Sequence, residues 1–313
     1  MARKVSIAAC QFVIKPVKDF DAFAAQSVKL LDDAKGADLV LFPELFTLGL
    51  FTTFDGWRNR PLTDLVKIDT YSNAYRELFA AEAKRRKQVI VAGSHLEKRN
   101  GGYYNVAYVY GPNGLIHTHD KTHIFPAESA WSTREGDRME AFDLPFARVG
   151  VNICYETEIP ECAASLAEQG AEIILCPSFT FSEHGFWRVR HCAQARAIEN
   201  QVYFVHCATG GKLPKGPLPN GWTRSSILGP CDKPWSAPNG VIAEARTNVQ
   251  TVLRGTVCLD KLRDNRETGV APTFRDRRRR ADVYRAWPSH VAGQAPSKPA
   301  AAKRSAKVAR SGA

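Results

Sequence analysis

The fold class this sequence predicts is α/β: layered sheets with helices outside. Two observations carry it. Short, continuous apolar runs such as Leu39-Val-Leu-Phe42 and Val89-Ile-Val-Ala92 have the length and composition of buried strands. They alternate along the chain with stretches of helical period, the order that builds sheets flanked by helices. A third observation sets the scale. The chain has 313 residues, 44% hydrophobic and 24% charged, without an internal repeat or an obvious linker before about residue 287. That suits one long domain in which two stacked sheets share a core.

The elements follow in order. Val5–Val13 alternates as a strand does. Residues 19–35 bring Phe20, Phe23, Ser27, Leu30 and Ala34 to one helical face, with Asp19 offering an N-cap. The strand Asp38–Phe42 is stopped by Pro43. Residues 70–87 read as a helix whose last turn is basic (Lys84, Arg85, Arg86, Lys87), and a strand follows over Gln88–Gly93. Gly111-Pro-Asn-Gly114 is a turn signal between strands Tyr103–Tyr110 and Leu115–Asp120. Arg148–Ile153 is a strand running into Cys154, and 159–169 is a helix ended by Gly170. Strand Glu172–Cys176, helix 186–200 and strand Val202–Cys207 come next, and strands over 223–229, 240–245 and 251–259 complete the order.

The chain carries 43 Lys plus Arg against 32 Asp plus Glu, a formal charge of +11. Five of those positive charges lie in 288–313, a segment rich in Ala, Ser, Lys and Pro with no acid and no hydrophobic period. It reads as a disordered basic tail after a domain at 1–287. Such an arm can bind acidic partners electrostatically, but it lacks the interleaved aromatics of base readout, which argues against nucleic acid. No apolar run is long enough to span a bilayer, and the N-terminus lacks the apolar block of a signal peptide. The expectation is a cytoplasmic protein with reduced thiols and no membrane partner.

Three polar residues fall where buried strands end: Glu44, Lys121 and Cys154. The crevice beyond strand ends is the usual binding site of an open α/β sheet. A carboxylate, an ammonium and a thiol meeting there form a catalytic set, with base, oxyanion stabiliser and nucleophile in that order. His117, His119 and His123 invite a metal-site reading. No Cys or second His pair completes a ligand set, and the other seven cysteines show no C-x-x-C pair, so no metal is expected.

Leu41-Phe-Pro-Glu-Leu45, Asp120-Lys-Thr-His-Ile-Phe-Pro-Ala-Glu128, Gly150-Val-Asn-Ile-Cys-Tyr-Glu156 and Arg196-Ala-Ile-Glu-Asn200, in this order, resemble the nitrilase (carbon–nitrogen hydrolase) superfamily over roughly residues 4–285. The resemblance implies a four-layer α-β-β-α sandwich and a Glu44–Lys121–Cys154 triad. It also implies a second glutamate after the lysine, for which Glu128 fits best and Glu135 is the fallback. The implied chemistry is hydrolysis of a non-peptide C–N bond in a small molecule through a Cys154 thioester, without a cofactor. Lys121 and the backbone N–H of Tyr155 would hold the oxyanion.

True nitrilases usually have Trp after the cysteine; Tyr155 here looks more like the amidase-type branches. Ser182–Arg190 resembles a bacterial subgroup of poorly defined substrates, some of whose members carry an N-terminal acetyltransferase domain. This chain, starting at the first hydrolase strand, is expected to lack that domain. Phe125, Phe179, His184 and Trp187 are candidate pocket residues. Superfamily members usually form homodimers or larger assemblies through helices near the nucleophile, here 159–169 and 186–200. The competing readings are a nitrilase, or a non-catalytic binding protein that uses its basic tail.

Overall fold

The computed structural model describes residues 3–213, 215–280 and 282. The chain divides into a unit Met1–Phe274 and a separate unit from Arg275 on. The expected boundary at 287/288 and the basic tail lie outside the described residues.

Two six-stranded sheets form the body of the first unit. One contains β1 (Lys4–Gln11), β2 (Leu39–Leu41), β3 (Val89–Arg99), β4 (Gly102–Gly111), β5 (Gly114–Asp120) and β12 (Thr251–Cys258), in the order β12-β1-β2-β3-β4-β5. The other contains β6 (Phe142–Asp143), β7 (Arg148–Val151), β8 (Ile173–Ser178), β9 (Tyr203–Ala208), β10 (Ser226–Leu228) and β11 (Val241–Glu244), in the order β11-β10-β9-β8-β7-β6. In each sheet the central pairs, β1·β2·β3 and β7·β8·β9, are parallel and the outer ones antiparallel.

The strand period of two explains the layering. Val5, Ile7 and Ala9 of β1 join Leu39, Leu41, Val89 and Val91 in a core that continues into Val149, Ile173, Leu175, Val205 and Cys207 of the second sheet. The intervening residues face outward. Ala8, Cys10, Val40 and Ile90 pack under α1 (Phe20–Asp33) and α2 (Ser72–Arg86) through Phe23, Leu30, Tyr75 and Phe79. On the other side Ile174, Cys176 and Phe204 pack under α3 (Pro160–Glu168) and α4 (Glu183–Glu199) through Ala163, Leu166, Val189 and Ala193. The result is the four-layer α-β-β-α sandwich. It also explains why the central strands are apolar throughout: both of their faces are covered.

Several element limits differ from expectation for identifiable reasons. Asp19 caps α1 as anticipated, accepting the Ala22 N–H at 2.8 Å. Strand β3 does not stop at Gly93 but runs to Arg99. Gly93, at φ +67°, absorbs a register shift in the pairing with β4, and a Cβ there would come within 2.1 Å of the Pro43 carbonyl oxygen. Helix α4 starts earlier than 186 because the Ser182 hydroxyl accepts the Gly185 N–H at 3.2 Å. Residues 46–71, which show no sequence period, fold into 3-10 turns. Helix α5 (Leu259–Thr268) went unanticipated because charge dominates its composition and only Leu259, Leu262 and Asn265 are buried.

Candidate active site

Three strand ends supply the candidate residues. Pro43 ends β2, and Glu44 follows with its carbonyl oxygen fixed by the Thr209 hydroxyl at 2.6 Å. Lys121 continues the β5 ladder by one more bond, donating its N–H to Asn105 O at 2.9 Å. Cys154 lies beyond β7 and opens a 3-10 turn, Cys154–Glu158, with φ at +47°. Such a conformation is costly for a residue with a Cβ and aims the side chain away from the line of the strand.

These side chains meet. Lys121 Nζ donates to Glu44 Oε1 at 2.7 Å and to Glu128 Oε2. Asn105 Nδ2 bridges the same two carboxylates, 2.9 Å from Glu44 and 3.0 Å from Glu128. The Phe179 peptide joins acid to thiol: its N–H donates to Glu44 Oε2 at 2.7 Å and its carbonyl accepts from Cys154 Sγ at 3.7 Å. The Ser178 hydroxyl donates to the same sulfur at 3.4 Å. Glu44, Lys121 and Glu128 are all at most 3% exposed.

Burial and charge divide the protons among these groups. Burial pushes the Glu44 carboxyl up to about 7, with Lys121 pulling the other way and Glu128 adding to the rise. Burial opposes charge on Lys121, yet Glu128 and Glu44 raise it above the ordinary lysine range, so it stays an ammonium. Burial and then the Glu44 charge push the Cys154 thiol far up. The resting site therefore pairs a protonated thiol with a carboxylate poised near neutrality and a permanent cation. That is the arrangement for proton transfer coupled to nucleophilic attack.

The structure distinguishes the two glutamates that follow the lysine. Glu128 touches Lys121, whereas Glu135 is spent on the Ile124 N–H at 2.9 Å. Glu128→Gln, which keeps the shape and removes the charge, is expected to lower kcat about 10²-fold through misplacement of Lys121. Glu135→Gln should stay within about twofold. Steady-state kinetics on both variants checks this, and equal losses would remove the distinction.

A cavity of about 210 Å³ opens over the thiol, walled by Phe125, Tyr155, Phe179 and Phe181. Phe125 and Tyr155 stand edge to face at 5.4 Å, as do Phe179 and Phe181 at 5.0 Å. His184 and Trp187 are not part of this wall. Helix α4 presents Gly185, Arg188 and Val189 instead, the i, i+3, i+4 face. Trp187 lies on the adjoining face, donating to Glu183 at 3.2 Å and stacking on His191. Arg188, held by Glu158 at 2.6 Å, is a charged pair in the wall that sequence reasoning missed. Asn105 was missed too; its signal is an amide inside the buried run of β4.

The three histidines have separate uses. His117 stacks on Phe142, His119 pairs with Glu156, and His123 meets Thr122 and Cys162. Among the described residues no group of three or more His, Cys, Asp or Glu could hold a metal. None of the described helices is long and apolar enough to cross a membrane.

Double sheets between helix pairs, carrying acid, ammonium and thiol at their strand ends, define an α-β-β-α class of protein. Within that class it belongs to the carbon–nitrogen hydrolase family, whose model matches residues 6–233. It is 35% identical over 284 residues to a probable hydrolase, YhcX, of Bacillus subtilis, covering 90% of this chain but 54% of that protein. The chain thus spans about half the length of that relative. It is 32% identical over 292 residues to omega-amidase NIT2-A of Xenopus laevis, covering 90% of this chain and 97% of the relative. Among solved structures, a carbon–nitrogen hydrolase from Helicobacter pylori superposes with a TM-score of 0.74 at 20% identity, covering 91% of this chain and 98% of the other. An amidase from Nesterenkonia sp. superposes at 0.68 and 19% identity, covering 91% and 97%.

Proposed function

We propose that the protein is a thiol hydrolase of a small, non-peptide amide or carbamoyl compound. The observation that carries this reading is the ion-paired Glu44–Lys121–Glu128 cluster, whose Glu128 lines the same cavity as the Cys154 thiol and whose Glu44 is joined to that thiol through the Phe179 peptide. Further support comes from the omega-amidase relatives by name. In a mutant of the Nesterenkonia amidase, a neighbour in fold, the acetamide moiety of fluoroacetamide is added covalently at the active-site cysteine.

In the forward half, Cys154 Sγ attacks the carbonyl carbon while its proton passes to Glu44. The carbonyl oxygen takes up negative charge against Lys121 Nζ and the Tyr155 N–H. The C–N bond then breaks, the Glu44 proton leaves on the amine or ammonia, and a thioester remains. In the second half water attacks the thioester carbon and gives its proton to Glu44. The C–S bond breaks, the proton returns to sulfur, and the acid departs. Glu128 and Asn105 hold Lys121 and Glu44 in place throughout. Phe125, Tyr155, Phe179 and Phe181 favour an acyl group with apolar surface.

A panel of amides, carbamoyl compounds and nitriles, read by product formation and by mass spectrometry of the protein, tests this. The expected result is acid plus ammonia or amine from an amide, with an acyl mass on the Cys154 peptide. Turnover confined to nitriles, or none with any member, would refute the amidase reading.

The pH dependence follows from Glu44. A base must be ionised to act, so kcat/KM should rise with pH through about 7. The same group works against stability: its folded value lies above the unfolded one of 4.5, so ionising it destabilises the fold between 4.5 and about 7. A flat kcat/KM profile from about pH 5.5 to 8.5 would contradict this assignment.

A further inference from the structure

Glu156 is fully buried and takes no part in the chemistry above, yet it accepts hydrogen bonds on every side. The Ile153 N–H donates to Oε2 at 2.5 Å. The Thr122 N–H and hydroxyl each donate to Oε1 at 2.6 Å. His119 Nε2, itself buried, lies 3.0 and 2.9 Å from the two oxygens. Thr122 directly follows Lys121, and Ile153 directly precedes Cys154. One carboxylate therefore grips the backbone beside the cation and the backbone beside the thiol, although the two come from different sheets. A buried carboxylate of this kind requires a counter-charge, and His119 faces it.

We propose that the His119–Glu156 pair is the positioning device that sets Lys121 against Cys154, so that the oxyanion cation and the nucleophile keep one mutual geometry. This rests on the hydrolase reading above. Neither residue touches the reacting atoms; both act through their neighbours. The pair links β5 to the Cys154 turn across the junction of the two sheets, where no strand ladder does so. Displacement of a reacting group by about 1 Å can lower a rate about 10²-fold, so slack at this joint falls on kcat rather than on binding.

The groups around the pair favour its charged form. Glu156, Asp120 and Glu140 raise the His119 imidazole against burial, and His117 is the basic neighbour. His119, Thr122 hydroxyl and Thr122 N–H hold Glu156 low despite its burial, and the Cys162 and Cys176 thiols near it are pushed up. A histidine raised in this way keeps its ion pair at low pH and loses it as pH climbs through the raised value. The geometry of the site should accordingly loosen on the alkaline side.

The test uses the whole protein and four variants: His119→Asn, which removes the reach; His119→Gln, which keeps an N–H donor on a longer arm; Glu156→Gln; and the double variant His119→Asn/Glu156→Gln. For each, kcat and KM on an accepted amide are measured across pH, with thermal unfolding and active-site titration to count folded sites. The expected results for His119→Asn and Glu156→Gln are a kcat per folded site lower by about 10–100-fold with KM within about threefold. His119→Gln should recover much of the loss. The double variant should be no worse than the worse single one, because both break the same link. The alkaline limb of kcat should change shape in His119→Asn. Unchanged kcat per folded site, an effect confined to KM, or strictly additive losses would each overturn the proposal. If His119→Asn does not fold, His119→Gln and Glu156→Gln carry the same comparison. A wild-type protein that hydrolyses no amide would sink the hydrolase reading itself, a distinct result from an active wild type with indifferent variants.

Discussion

Cys154→Ala is expected to abolish amide turnover, by at least about 10⁴-fold, and to leave no acyl mass on the protein. The change removes one sulfur atom from a side chain 6% exposed, and it leaves the Glu44–Lys121–Glu128 cluster intact. Folding should therefore be nearly unchanged, and the loss assignable to chemistry. The variant should still bind amides, because Phe125, Tyr155, Phe179 and Phe181 remain in the wall. Calorimetry or ligand-observed NMR on the variant, beside product assays, reads both parts. Persisting turnover would move the nucleophile elsewhere, to a hydroxyl lining the same cavity (Tyr155, Thr180 or Ser182) or to Ser178 beside the sulfur.

Lys121→Met should damage both stability and activity. The lysine is 1% exposed and holds two buried carboxylates. Removing it leaves two like charges facing each other in a dry site. Breaking a buried ion pair from one side costs about 3–5 kcal/mol. The carboxyls should respond by taking up a proton, so the variant should be more stable at pH 5 than at pH 8, because the folded form then binds more protons than the unfolded one. Activity should fall about 10³-fold or more, since the oxyanion loses its cation and Glu44 loses the charge that keeps it ionisable near neutrality. Thermal melts at the two pH values, with kcat/KM beside them, check both parts. A variant that is as stable as wild type with near-normal kcat/KM would exclude Lys121 from the site.

The local chemistry was legible wherever it depends on neighbours in the chain. Alternation in β1 placed Val5, Ile7 and Ala9 on one face because the strand period is two. Asp19 announced the start of α1, and Gly111 and Gly114 announced the hairpin of β4 and β5. Glu44, Lys121 and Cys154 stood out as polar groups at the ends of apolar runs, and the order of the four motifs gave the family. Elements without a period, such as the 3-10 turns of 46–71, were not legible, since their burial is arranged by the helices and strands they pack against.

What the sequence by itself determined is the layering and the identity of the three candidate residues, because hydrophobic period and strand-end position are properties of contiguous chain. The tertiary structure alone decided which glutamate meets Lys121, that Asn105 bridges two carboxylates, that Arg188 rather than His184 or Trp187 reaches the wall, and that Glu156 grips two strand ends at once. Each of these is a contact between residues far apart in sequence or a choice of helical face. Hydrogen bonds and ion pairs act over about 3 Å, so they are settled only when the two sheets have stacked and fixed which side chains come within reach.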